Sequence, residues 1–336
     1  MGAEIIERIC AMRYLKYLLL VVAFASRSAV AADELLPPPT PSAVKKPAPT
    51  PTVPKFANLQ YGDGTNAANL LDIYLPEKID KPVPVVVWIH GGGWANGDKS
   101  PSPQFLQLLP HGLAVASINY RLSGEAPFPA QIYDCKGAIR YLRAHAKEYQ
   151  IDPDRIGIWG VSAGGHLAAL LGTSAGVKEL EGNVGGNLNV SSRVQAVSDY
   201  AGPTDLGQVF AQGADMPAFV NNAILRGYYE NLLGGGPVES HPDLIRLANP
   251  INYITVDDPP FQIFHGDKDV LVPVSQGQLL AEALKAKGVP CDYTVLPGMG
   301  HGFGQGQYRA TVAFFEKQLK PDAPTPPAGP SVKGVK

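Results

Sequence analysis

From about residue 84 onward, short apolar runs alternate with stretches in which apolar residues recur every three or four positions. The runs are PVVVWIH at 84–90, LAVASINY at 113–120, RIGIWG at 155–160, VQAVSDY at 194–200, PFQIFHG at 260–266 and DYTVLPG at 292–298. Nearly unbroken apolarity in several of them predicts strands covered on both faces. The helical spacing fits 129–149, 162 to about 171, 275–287 and 308–319. In the first of these, Ile132, Cys135, Ile139, Leu142, Ala146 and Tyr149 make one apolar face. Ahead of the alternation, ANLQYGDGTNAANLLDIYLP holds two strand-like pieces around a Gly-Asp-Gly turn, which predicts an antiparallel hairpin at the sheet edge. The whole pattern predicts an α/β fold with a mostly parallel central sheet of about eight strands and helices on both faces.

The ends of the chain follow different rules. Met12-Arg13-Tyr14-Leu15-Lys16 is a basic start, Tyr17 to Ala25 an apolar run, and Ala29-Val30-Ala31 a small-residue cleavage site, so residues 1–31 are expected to be a signal peptide. Glu4 and Glu7 do not suit such a leader, which makes Met12 the expected true start. The run is too short for a stable membrane span, so the expected destination is the periplasm or the cell exterior. Residues 32–55 are proline-rich and expected to be a semi-rigid linker, and 321–336 a flexible tail of the same kind. One catalytic-sized domain, 56–320, lies between. Inside it, 203–249 breaks the alternation with the Gly-rich NLLGGGPVESHPDL. It is expected to be an insertion, either a lid or substrate-binding element or a solvated crossover.

Composition narrows the functional classes. The chain has 28 Lys and Arg against 30 Asp and Glu, a formal net charge of -2, so no global basic excess draws it to nucleic acid. Beyond the leader only Cys135 and Cys291 remain. Two distant cysteines are no disulfide framework, and Cys135 falls on an apolar helix face. The seven histidines make no metal-ligand spacing such as H-E-x-x-H, so neither metal nor cofactor is expected. Composition leaves the oligomeric state open.

The chemistry concentrates in GVSAGGHLAALLGTSAG, residues 160–176, which carries G-x-S-x-G twice, around Ser162 and around Ser174. A nucleophile elbow needs a strand running into the serine and a helix leaving it. RIGIWG and HLAALLG supply both for Ser162, whereas Ser174 follows the helix in what reads as a glycine cap and loop. An acyl-transfer site also needs donors for an oxyanion. HGGGW, His90 to Trp94, follows a strand and offers the amides of Gly92 and Gly93, with Ala163 as the third donor. In the order Ser, Asp, His, the remaining partners are Asp269 in FHGDKDVLVP and His301 in LPGMGHGFG, both expected at the carboxyl edge of the sheet. Asp267 competes with Asp269 but sits almost on the strand end. His90 and His265 end strands and are expected to brace loops. Trp94 and Tyr120 are candidates for lining the substrate, with core packing an equal alternative.

Taken in order and spacing, HGGGW, NYRLSGEAPFPAQIYDCKGAIRYLR, DPDRIGIWGVSAGGHLAALLG, FHGDKDVLVPVSQ and LPGMGHGF resemble the α/β-hydrolase superfamily. In particular they are similar to its exported bacterial carbohydrate-esterase branch, the feruloyl and acetylxylan esterase-like enzymes. The resemblance covers roughly residues 56–320. It implies a serine carboxylic ester hydrolase that works through an acyl-enzyme without a cofactor. Its substrates would be acetyl or feruloyl esters of plant or algal polysaccharides, or small esters. Val161 stands where many hormone-sensitive-lipase-like relatives have an acidic residue, which sets the chain apart from that branch. HGDKDVLVP is also similar to prolyl-oligopeptidase relatives, so an exported serine peptidase is the main alternative. A lipase and a non-enzymatic binding protein are further ones.

Overall fold

Apolar residues that alternate in and out of two cores build the sheet on which everything else rests. The computed structural model describes residues 53–214, 216 and 222–320; the expected leader, Met12, most of the linker and the 321–336 tail lie outside the described residues. The strands are β1 (Phe56–Gln60), β2 (Leu70–Tyr74), β3 (Val83–Ile89), β4 (Ala114–Ile118), β5 (Ile151–Val161), β6 (Ala196–Tyr200), β7 (Phe261–Gly266) and β8 (Cys291–Leu296). They form one eight-stranded sheet in the order β1-β2-β4-β3-β5-β6-β7-β8. β1 and β2 pair antiparallel, as does β2 with β4. Every pairing from β4 across to β8 is parallel.

Strand side chains alternate between the faces of a sheet. Val85, Val87 and Ile89 of β3 therefore join one apolar core with Ala116, Ile118, Ile156 and Ile158. Val86 and Trp88 join a second core with Val115 and Trp159. The first core is covered by α1 (Ala130–Ala144), α2 (Ala163–Thr173) and α5 (Val274–Ala286), the second by α6 (Gln305–Leu319) and the segment from Phe105 to Leu113. All residues of α2 are buried. Among the described residues, no helix is long and apolar enough to cross a membrane.

Two boundaries depart from the sequence pattern. The helix expected over 129–149 ends at Ala144, and the chain turns back through Gln150, at φ 57°, into a β5 that starts at Ile151. The apolar spacing of Ala146 and Tyr149 continues because both residues still fill the core, although the backbone there is no longer helical. The segment 203–249 holds α3 (Ala223–Leu232) and α4 (Pro242–Ala248). Among its described residues, Leu206, Val209, Leu225, Tyr229, Leu232 and Val238 are buried in the first core. Cys135 is a buried free thiol and Cys291 a half-buried one, so the two are not paired.

Candidate active site

The parallel half of the sheet points the carboxyl ends of β5, β7 and β8 the same way, and the loops that follow them carry Ser162, Asp269 and His301. Ser162 lies between β5 and α2 at φ 57°, ψ -123°, a conformation that a non-glycine residue holds only when its surroundings enforce it. Its amide donates to the Tyr200 carbonyl at 2.7 Å, and its carbonyl accepts from the His166 amide at 3.0 Å. The turn closes because its neighbours lack side chains. A Cβ on Gly160 would lie 2.0 Å from the Gly164 carbonyl oxygen, and one on Gly164 would lie 2.2 Å from that of Ile89. Ala163 opens α2, where an amide has no acceptor within its own helix.

Beside the elbow, the loop after β3 turns through Gly92 and Gly93 at φ 109° and 61°. The Gly92 carbonyl accepts from the amides of Ala95 and Asn96. The amides of Gly92 and Gly93 donate to no group among the described residues. With Ala163, they are three amides free to meet an oxyanion. Trp94 and Tyr120 do not line a substrate surface. Trp94 is 2% exposed, its ring lying edge-on to His166 and Tyr229. Tyr120 is 1% exposed, stacks on His90 and donates its hydroxyl to the His90 carbonyl at 3.1 Å. Both fill the space beneath the glycine loop, where large rings stabilise more by burial than by exposure. A half-buried residue that sequence reasoning missed, Tyr228 of α3, instead meets the loop: a Cβ on Gly93 would lie 2.7 Å from its ring. No local signal in 203–249 marks it.

The acid and the base do meet. His301 Nδ1 donates to Asp269 Oδ2 at 2.6 Å, and Asp269 Oδ1 accepts from the amides of Leu271 and Val272 at 2.8 and 3.0 Å. Burial alone would raise the Asp269 carboxyl, but the imidazoles of His301 and His265 outweigh it and hold the group well below the ordinary carboxylate range. Asp267 is exposed and accepts from the Gly298 amide at 2.7 Å, fastening the loop that carries His301. Tyr200 connects the loops, since its carbonyl holds Ser162 while its ring lies 4.4 Å from that of Phe303, two residues past His301.

The other histidines have structural partners. His90 Nδ1 lies 2.8 Å from the Gly91 carbonyl, His265 Nε2 3.0 Å from that of Val272, and His166 Nε2 2.8 Å from that of Ala248. Burial lowers His166 to about 4, the Ala248 contact opposing only part of the shift. Ser174 caps the far end of α2 with a fully buried hydroxyl that has no partner among the described residues. Its carbonyl accepts from the buried Lys136 ammonium at 2.6 Å. Among the described residues no group of three or more His, Cys, Asp or Glu side chains is placed to hold a metal ion.

Comparison with known proteins agrees with this architecture. The BD-FAE family profile matches residues 71–284. The chain is 33% identical over 252 residues to Esterase LipQ of Mycobacterium tuberculosis, a match covering 74% of this chain and 57% of that protein. It thus spans little more than half the length of that relative. Among solved structures, it is similar to a truncated form of a carbohydrate esterase from gut microbiota, with a TM-score of 0.72 and 35% identity over 82% of this chain and 99% of that one. It is also similar to an acetyl ester-xyloside bifunctional hydrolase from Caldicellulosiruptor lactoaceticus, with a TM-score of 0.63 and 28% identity over 80% of this chain and 96% of that one. The fold is that of the α/β hydrolases.

Proposed function

The chain belongs to the BD-FAE family, and from that membership and the geometry of the carboxyl edge we propose that it is a serine carboxylic ester hydrolase. The single observation that carries the reading is the pairing of a strained serine at a strand-to-helix turn with an Asp-His hydrogen bond at the same sheet edge. Ser162 attacks the ester carbonyl, and His301 takes its proton and returns it to the leaving alcohol. Asp269 holds the imidazole with Nδ1 protonated, so that Nε2 is the basic atom, and stabilises the imidazolium that forms. The amides of Gly92, Gly93 and Ala163 bind the oxyanion, each donor contributing roughly 3 to 4 kcal/mol of transition-state stabilisation. Water then releases the acyl group from Ser162 by the same steps in reverse order.

For the substrate, the proposal is an acetyl or feruloyl ester of a plant or algal polysaccharide, or a small ester, met after export to the periplasm or cell exterior. The support is the leader-like sequence of residues 1–31 and the similarity to two solved structures, a carbohydrate esterase and an acetyl ester-xyloside bifunctional hydrolase. Initial rates on acetylated xylan, methyl ferulate, short p-nitrophenyl acyl esters and aminoacyl amides test it. Turnover of the first three classes with inert amides is the expected result, and amide cleavage alone makes the protein a peptidase. A phosphonate ester locates the nucleophile independently. Residues 156–178, between Arg155 and Lys178, contain both serines, so fragmentation of that labelled peptide must place the label on Ser162; a label on Ser174 overturns the assignment.

A further inference from the structure

A second imidazole stands at the acid of the site. His265, at the end of β7 and fully buried, places Nε2 3.5 Å from Asp269 Oδ2, the oxygen that His301 also contacts. A carbonyl only accepts, so the 3.0 Å contact with the Val272 carbonyl puts a proton on His265 Nε2. The other ring nitrogen, Nδ1, is buried and has no partner among the described residues, and neither has Oδ2 of the buried Asp199.

These two orphans share one buried layer. Asp199 of β6 pairs with Ile263 of β7, and His265, two residues on, projects to the same face as Ile263. Each covering helix meets the layer with a glycine. A Cβ on Gly165 of α2 would lie 2.2 Å from Asp199 Oδ1, and one on Gly277 of α5 would lie 2.7 Å from His265 Nδ1. Oδ1 of Asp199 accepts from the Gly202 amide at 2.9 Å. The mechanism above uses neither Asp199 nor His265, yet they sit between the helix that starts at the nucleophile and the loop that holds the acid.

We propose that His265 is a positioning residue for Asp269 and that, with Asp199 behind it, it sets the basicity of His301; the proposal rests on the ester-hydrolase reading of the site. Through its Nε2 proton, His265 shares the charge of Asp269 with His301. Burial pushes Asp199 up to about 6, so the carboxylate behind His265 is lost as the pH falls below that value. The other titratable groups facing this layer are Tyr229 of α3, which senses Asp269, and Tyr293 and Cys291 of β8, the latter sensing Asp199.

The test compares wild type with His265→Leu, His265→Gln and Asp199→Asn in the full chain. One measurement is kcat/KM on p-nitrophenyl acetate against pH. The other is the pH titration of the downfield proton resonance of His301 Nδ1, which needs no substrate. His265→Leu is expected to lower kcat/KM by roughly 10- to 100-fold, mainly through kcat, because a displaced Asp269 no longer aims His301. Loss of the shared proton also moves the acid limb and the titration to higher pH. His265→Gln, which keeps an N–H donor, restores most of the rate, and Asp199→Asn, which removes a buried negative charge behind His265 and so disfavours a protonated His301, moves both midpoints to lower pH. A folded His265→Leu protein with unchanged midpoints overturns the proposal, whatever its rate. Should that variant not fold, unchanged midpoints in Asp199→Asn overturn it instead. Wild-type protein inert towards every ester sinks the ester-hydrolase reading, and the resonance then still judges the coupling among Asp199, His265 and His301.

Discussion

Ser162 and Ser174 stand in the same G-x-S-x-G letters twelve residues apart, at opposite ends of one helix, and the fold gives them opposite fates. Ser162 enters α2 from a strand, at φ 57°, half-buried beside a loop of free amides. Ser174 leaves α2 as its C-cap at φ -102°, its hydroxyl sealed in and its carbonyl tied to Lys136. The glycines differ as well. Those around Ser162 are required because backbone passes within 2.0 to 2.2 Å of where a Cβ would stand, whereas Gly176 has nothing within 4 Å and serves only its φ of 78°. A motif is thus catalytic through what its ends are attached to. The helix N-terminus presents amides to developing negative charge, and the C-terminus presents carbonyls, which attract a lysine instead.

Exchange of each serine breaks the comparison most directly. Ser162→Ala should lower kcat/KM on a short acyl ester by about 10⁴- to 10⁶-fold, while Ser174→Ala stays within about 2-fold of wild type. A reversal of these two results would transfer the nucleophile to the far end of the helix. The next largest effect concerns Gly164→Ala, whose methyl meets the Ile89 carbonyl at 2.2 Å. It should cost about 3 kcal/mol or more in urea unfolding, because neither strand nor helix can recede, and it should abolish turnover.

His166 sharpens the comparison from the middle of the helix. Burial keeps its imidazole neutral, with a folded value near 4 against an unfolded 6.5. The unfolded chain therefore binds this proton first, and stability present above pH 6.5 is lost as the pH falls towards 4, by up to about 3 kcal/mol. Urea midpoints measured across that window should show the slope, and His166→Gln should flatten it. The smallest effects belong to the second motif. Gly176→Ala should cost about 1 kcal/mol, through backbone conformation alone. Ser174→Ala should change stability by less than about 1 kcal/mol, since it removes a buried hydroxyl that has no partner among the described residues. Larger losses at either position would mean that the C-terminal end of α2 is as tightly constrained as the elbow.

Much of this was legible in the chain. Each parallel strand showed as an apolar run because both its faces are covered, and the elbow, the glycine loop and the order Ser, Asp, His are local patterns that need no neighbours to be seen. For Trp94 and Tyr120 the sequence left substrate contact and core packing level, because a large ring beside a motif looks the same whether it faces a substrate or fills the space beneath a loop. Tyr149 misled: its periodic spacing persisted past Ala144 because the residue is buried, although the helix had ended.

The sequence by itself determined which segments become strands and helices and which serine a strand delivers into a helix, since those properties depend on side chains within a dozen residues. Only the tertiary structure decided that Asp269 rather than Asp267 meets His301 across 32 residues, that Tyr228 closes on Gly93, and that Asp199 and His265 share a buried layer. Those contacts depend on the order in which strands join the sheet, where β4 lies outside β3 and β6 separates β5 from β7. That order is set by the burial of both faces over the whole sheet, a sum of many weak contacts that no short window of sequence contains.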